Sequence, residues 1–328
     1  MTVQMLIIGL GQIGTSIGLA LADQKNQIRC LGYDADLVIA HQAEKMKAVE
    51  KLAFNLPKTA ANSDIVMLAL PASGLREILE IIAPELKEGA VVMDVAPAKE
   101  AMIAWTRELL PAGRHYVGLS PAINPEHLEA RGLSLKAAHP DLFRKGLVGI
   151  VTSPGIPSGA IRLATDLVSL LGAEHLFFDA AEVDSLMAAV QLLPQLMGAA
   201  LLDATLRQPG WHEGRKLAGR AYADVTGTLF HSGGPDGLAN AAVLSGKHAV
   251  RVLDNLIAAL QDYRAGIQDG KVEPLLEQLN QAYEDRLNWW VERQRGGWLT
   301  EEMASHAELP TSSQMFGRLV GVGRKPKK

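Results

Sequence analysis

The run Val3-Gln4-Met5-Leu6-Ile7-Ile8-Gly9-Leu10-Gly11-Gln12-Ile13-Gly14 decides the fold. Val3 to Ile8 is an apolar segment of strand length that passes directly into Gly9, Gly11 and Gly14. The first glycine permits a tight turn, the second lets backbone approach a pyrophosphate, and the third lets the next helix pack closely on the strand. Gln12 and Ile13 open that helix, whose free N–H groups and positive end suit a phosphate. A second apolar run, Ile28 to Tyr33, ends at Asp34, 20 residues after Gly14. A carboxylate there accepts hydrogen bonds from a ribose 2'-hydroxyl and repels a 2'-phosphate, and Ala35, Asp36 and Leu37 offer no arginine to offset that repulsion. The expected cofactor is therefore NAD, favoured over NADP.

Outward from this motif, further short apolar runs at Ile65 to Leu70, Val91 to Val95, Tyr116 to Leu119, Val148 to Val151 and His175 to Phe178 alternate with helical patterns. They predict a mostly parallel sheet covered on both faces. Ligands bind such sheets outside the carboxyl ends of the strands, so Leu70, Pro71 and Ser73 join Gly9, Gly11, Gln12, Ile13, Gly14 and Asp34 as expected cofactor contacts. Beyond Ala180 the pattern is helical only, over Ala181 to Leu206, Gly214 to Phe230, Gly237 to Asp269 and Val272 to Gln294. The last helix spaces Leu276, Leu279, Tyr283, Leu287 and Trp290 into one apolar stripe, which predicts a homodimer through the helical region. The expected fold is an α/β Rossmann-like dinucleotide-binding domain followed by an all-α dimerisation domain. Its expected parts are residues 1–153, a link with a possible edge strand at 154–179, a helical substrate and dimerisation domain at 180–298, and a C-terminal extension at 299–328.

The chain has 328 residues, enough for two domains, with 48% hydrophobic residues and a formal charge of −4. That balance gives no reason to expect a nucleic-acid partner. Arg324 to Lys328 form the one basic run. Cys30 is the single cysteine, so an intrachain disulfide is impossible. The longest apolar segment, Leu186 to Leu202, carries Gln191, Pro194 and Gln195 and reads as a core helix, not a membrane span. With no export signal read at the N-terminus, the expected location is the cytoplasm.

Gly9 to Leu21, Asp64 to Pro71, Val92-Met93-Asp94-Val95 with Lys99, Tyr116 to Pro121, Gly132 with Leu142-Phe143, and Leu193-Pro194-Gln195 together resemble the prephenate and arogenate dehydrogenase family. The resemblance implies a nucleotide domain, a helical dimerisation domain and an active site between them. It also implies hydride transfer from a cyclic alcohol carboxylate, followed by loss of carbon dioxide, on the way to tyrosine. The family carries a His-Pro pair where this chain has Ser120-Pro121, and a Ser-His-Leu-Pro stretch where it has Gln191-Leu192-Leu193-Pro194. Its arginine-bearing segment for the substrate carboxylate is reduced here to Gly214 through Arg220. A kept cofactor motif with altered substrate groups leaves two further readings open: a dehydrogenase or reductase for another small carboxylate or alcohol, and an NAD-binding protein without turnover.

Removing a hydroxyl proton needs a group to accept or relay it. Ser120 is placed to orient a substrate oxygen or relay its proton. His127, in the loop after Asn124-Pro125-Glu126, and Lys99 are candidate acid–base groups, while His115 and His139 read as structural. Gln191 and Gln195, four apart, share a helix face that either lines the cleft or is buried in the core. Asn124 either caps a turn or binds a substrate oxygen. Arg215, Lys216, Arg220 and Lys247 are the candidate anchors for a carboxylate. No histidine has a companion at ligand spacing, so no metal site is expected.

Overall fold

The computed structural model describes residues 2–24, 26–129, 135–230 and 233–298. Gly132, the extension 299–328 and the basic run Arg324 to Lys328 lie outside them. The chain begins β1 (Val3–Ile8), α1 (Gln12–Ala20), β2 (Ile28–Tyr33), α2 (Leu37–Lys45), β3 (Lys51–Leu52), α3 (Leu56–Ala61), β4 (Ile65–Leu68) and α4 (Ala72–Ile82). It continues through β5 (Val91–Asp94), α5 (Lys99–Leu109), β6 (His115–Pro121), β7 (Leu147–Thr152), α6 (Ser158–Leu170) and β8 (Glu174–Phe178). These eight strands form one sheet in the order β3-β2-β1-β4-β5-β6-β7-β8. All neighbours pair in parallel except β6 and β7, where Val117 faces Thr152 and Pro121 faces Val148 in antiparallel register. Phe178 pairs with Val151, which makes β8 the outer strand beyond β7.

Each strand of the central sheet is apolar on both faces because each face is covered. Met5, Ile7, Ile17, Met93, Leu119 and Leu163 belong to one core, and Leu6, Ile8, Leu68, Leu75, Val92 and Met102 to the other. Three short elements escape the sequence reading, the two-residue strand β3 and the helices α2 and α3. α2 is capped by Asp36, whose carboxylate accepts the Val38 N–H at 2.8 Å, and α3 by Asn55, which accepts from Lys58 at 3.0 Å. Both are too short for a clear apolar period.

The helical region comprises α7 (Ala180–Met187), α8 (Leu193–Leu206), α9 (Trp211–Leu217), α10 (Arg220–Gly227), α11 (Gly234–Leu244), α12 (Gly246–Asp269) and α13 (Val272–Arg295). α7 and α8 are joined without a break through a wider π-type turn at Ala188–Leu192. Pro194 stands just past that turn and lacks the N–H that a regular ladder would use there, which accounts for the local widening. The combined helix Ala180–Leu206 is long and apolar enough to cross a membrane by length and composition. Only 17% of its most apolar window is buried within the chain, so the expectation of a core helix is met on one face alone. The predicted helices over 214–230 and 237–269 are each two: Ala218-Gly219 separates α9 from α10, and Ser245 separates α11 from α12.

Candidate active site

β1 is flanked by β2 on one side and by β4 on the other, so the chain reverses direction across the sheet at the carboxyl end of β1. A crevice opens at such a reversal. Gly9 turns there with φ at +94°, and a Cβ on it would stand 2.4 Å from the Ala69 carbonyl oxygen. A Cβ on Gly14 would meet the Gly9 carbonyl oxygen at 1.9 Å, so that glycine is required for α1 to sit against β1. Gly11 is different: nothing lies within 4 Å of the Cβ it lacks. The space is open toward a ligand, which fits the backbone approach a pyrophosphate needs.

The cleft encloses about 370 Å³. Its floor is Gly9, Gly11, Gln12, Ile13, Ala69, Leu70 and Pro71, with Asp34, Ala35 and Ile39 at one end and Val95, Ala96 and Pro97 at the other. Gln191, Leu192, Gln195, Gly233, Gly237, Leu238 and Ala241 of the helical region roof it. Ala72, Ala188, Leu192, Leu238, Ala241 and Val252 form a small core that holds roof to floor. Of the expected cofactor contacts, Gly14 lies packed beneath the loop and Ser73 is exposed on α4; neither lines the cleft.

Asp34 holds the loop as well as facing the cleft. One carboxylate oxygen accepts the Leu10 N–H at 2.7 Å and the other the Asp36 N–H at 2.9 Å. Gln191 and Gln195 settle on the cleft wall, and the Gln195 Oε1 is buried without a partner. An unsatisfied buried acceptor on a pocket wall is a place for a ligand donor.

Lys99 is fully buried at the start of α5, outside the cleft. Its Nζ pairs with Asp94 Oδ2 at 2.8 Å, while the Tyr116 hydroxyl donates to Asp94 Oδ1 at 2.6 Å and the Ala96 N–H to Oδ2 at 2.8 Å. Burial pulls the Lys99 ammonium below the usual lysine pKa, against the pull of Asp94, and pushes the Tyr116 phenol well above its own. The network fixes the Val95–Pro97 turn that ends the cleft. The only sequence signal for it was Asp94 at a strand end five residues before Lys99.

α5 has no capping side chain of its own. Asp184 on α7 supplies it, accepting the Lys99 N–H at 2.6 Å and the Glu100 N–H at 2.9 Å. Burial raises the Asp184 pKa even though these backbone bonds favour the charge. Glu100 in turn binds Lys247 at 2.9 Å and His248 at 3.1 Å from α12.

Ser120, the last residue but one of β6, has its Oγ buried and unpartnered, apart from the cleft lining. Asn124 is buried and caps the turn Pro125–His127: its Oδ1 accepts from Glu126 at 3.1 Å and its Nδ2 donates to the Asp141 carbonyl at 3.2 Å. This is the capping reading, not the substrate reading. His127 turns to Asp141, with His139 beside it, outside the cleft. Sequence spacing had set these histidines apart from any companion, and the folded β6–β7 loop brings the three together. Arg215, Lys216 and Arg220 are exposed and do not line the cleft, and Lys247 is committed to Glu100.

The sequence profile of the prephenate dehydrogenase nucleotide-binding domain matches residues 17–175. A probable prephenate dehydrogenase of Streptomyces niveus is 30% identical over 277 residues, covering 81% of this chain and 70% of that protein. Prephenate dehydrogenase of Lactococcus lactis is 27% identical over 201 residues, 61% of this chain, and this match spans only 53% of the relative's length. The solved structure of prephenate dehydrogenase from A. aeolicus with hydroxyphenyl propionate and NAD+ superimposes with a TM-score of 0.76 at 18% identity, covering 88% of this chain and 98% of that one. The sheet of this chain is an N-terminal Rossmann-like nucleotide-binding domain, and the helices after it make an all-α domain.

Proposed function

Given that this chain belongs to the prephenate dehydrogenase family, as a divergent member, we propose that it is an NAD-dependent dehydrogenase that oxidises prephenate or arogenate in the cleft between sheet and helices. The observation that carries the reading is the two-sided cleft itself: a glycine floor ending at Asp34, roofed by the amides of Gln191 and Gln195. Bound NAD would supply the hydride acceptor. Gly11 leaves room for the diphosphate, and the Asp34 carboxylate favours a free ribose 2'-hydroxyl over a 2'-phosphate. Gln195 Oε1 accepts a hydrogen bond from the reacting hydroxyl or from the nicotinamide amide, and Gln191 orients the ring from the same wall. Ser120 holds the position of the family's histidine, but its buried Oγ lies off the cleft without a partner, so the hydroxyl proton leaves to solvent through the cleft.

A second reading has one observation in its favour. Among the described cleft-lining residues Asp34 is the sole ionisable group, and the candidate cations lie outside the cleft or in ion pairs. A cleft with amides and no cation suits a less charged alcohol or carbonyl, on which the same scaffold would act as dehydrogenase or reductase.

The test is NADH formation at 340 nm with NAD and prephenate, and in parallel arogenate. The expected result is turnover in the ordinary enzyme range of roughly 1 to 10³ per second, with NADP a poorer acceptor. Binding of NAD by calorimetry without turnover on either compound would overturn the substrate assignment and leave the second reading.

A further inference from the structure

We propose that His127, His139 and Asp141 form a binding site for one divalent transition-metal ion, zinc by its donor chemistry, which clasps the β6–β7 loop against α1. The three ligand atoms already converge: all lie within 4.8 Å of one another. The His127 Nε2 stands 2.6 Å from Asp141 Oδ1, the His139 Nδ1 contacts the same oxygen, and the ring centroids are 4.9 Å apart. A tetrahedral zinc with bonds of about 2.0–2.1 Å to nitrogen and oxygen needs donors about 3.3 Å apart. Inserting the ion therefore widens the two contacts to Asp141 by about one ångström or less and sets the two ring nitrogens, now within 4.8 Å of each other, at the same spacing.

Two neutral imidazoles and one carboxylate suit a borderline ion, whereas calcium and magnesium demand a shell of oxygens. The side chains of His127, Asp141 and His139 are 21%, 31% and 53% exposed, so the ion has a way in from solvent and a fourth position for water. The segments behind the ligands are hydrogen-bonded to each other. Asn124 donates its backbone N–H to the Leu142 carbonyl at 2.6 Å and its side-chain amide to the Asp141 carbonyl, tying the segment that carries His127 to the one that carries Asp141. Such outer bonds hold metal ligands in orientation.

The position gives the ion something to hold. The His139 backbone N–H donates to Ser16 Oγ at 3.0 Å, and Gln12 Nε2 donates to the Ala137 carbonyl at 3.2 Å, so this segment already rests on the helix that the glycine turn opens. Metal at His127 and His139 would join the segment that follows Asn124 to the one that rests on α1. None of the three ligands lines the cleft, so the ion is structural and takes no part in hydride transfer.

The experiment uses chelator-treated full-length protein titrated with Co²⁺ and then Zn²⁺. One equivalent of Co²⁺ is expected to give visible d–d bands, which stoichiometric Zn²⁺ abolishes, with a rise in melting temperature on Zn²⁺ addition. His139→Gln, at a half-exposed position, and Asp141→Asn should each weaken binding at least 100-fold while the far-ultraviolet circular dichroism stays unchanged. His175→Gln, on β8, should bind as the parent does. Absence of the bands at one equivalent, or bands that survive both ligand variants, would overturn the proposal.

Discussion

Asp94 and Lys99 show how a single residue pair shapes the cleft without touching what binds there. Both are fully buried, and removing one leaves the other as an uncompensated charge. Lys99→Met is expected to lose about 3–5 kcal/mol in denaturant unfolding, and Lys99→Met with Asp94→Asn to recover much of it. Equal losses in the single and double variants would show that the pair is not coupled. The glycines separate just as cleanly. Gly14→Ala drives a Cβ into the Gly9 carbonyl and should cost roughly 1–3 kcal/mol or more. Gly11→Ala meets no protein atom, so its melting temperature should hardly move while calorimetric NAD affinity falls at least about tenfold, a loss of roughly 1.4 kcal/mol. The turn at Gly9 and the close packing at Gly14 were legible because their backbone roles follow from spacing, whereas the bonds from Asp34 to the Leu10 and Asp36 N–H groups were not read. Asn124 was legible as the cap of the turn at Pro125, one of its two readings. Lys99 and His127 were not: each had a sequence reading as a site residue, and each is claimed by a carboxylate, Asp94 or Asp141, that only the fold brings to it.

At the level of elements, α5 is where the two domains meet electrostatically. The Lys247 ammonium, and after it His248, holds the Glu100 carboxyl below the ordinary glutamate pKa despite the opposing effect of partial burial. A carboxylate depressed on folding stabilises the folded state fully above its unfolded pKa, and this contribution is lost as pH falls through the folded value. Melting temperature measured from neutral to acid pH should therefore drop in the acid limb, and Glu100→Gln should flatten that part of the profile while lowering the neutral plateau slightly. An unchanged acid limb would mean the latch is too exposed to matter. The strands were readable as apolar runs bounded by Gly, Pro and Asp, whereas α2 and α3 hide behind short lengths. The breaks at Ala218-Gly219 and Ser245 were missed because apolar spacing runs on across them.

Across the whole molecule the sheet is self-contained and the helices are not. Leu276, Leu279, Tyr283 and Leu287 on α13 are each about half exposed or more, with Ile257, Leu260 and Ile267 exposed on α12. Uncovered apolar surface of this kind on long helices is what the expected homodimer would bury. Sedimentation equilibrium should give a dimer, and Leu279→Glu with Leu287→Glu a monomer of unchanged helix content; a monomeric parent chain would remove this reading. One detail of the junction reaches further. Because α5 begins on the carboxylate of Asp184, the first domain borrows the end of one of its helices from the second. A fragment cut after β8 would carry that helix with a frayed, unfinished start, so excision should yield a weakened module. A chimera that exchanges the helical half between relatives must bring an acceptor at position 184 along with it, which makes that aspartate a constraint on how the two halves recombine.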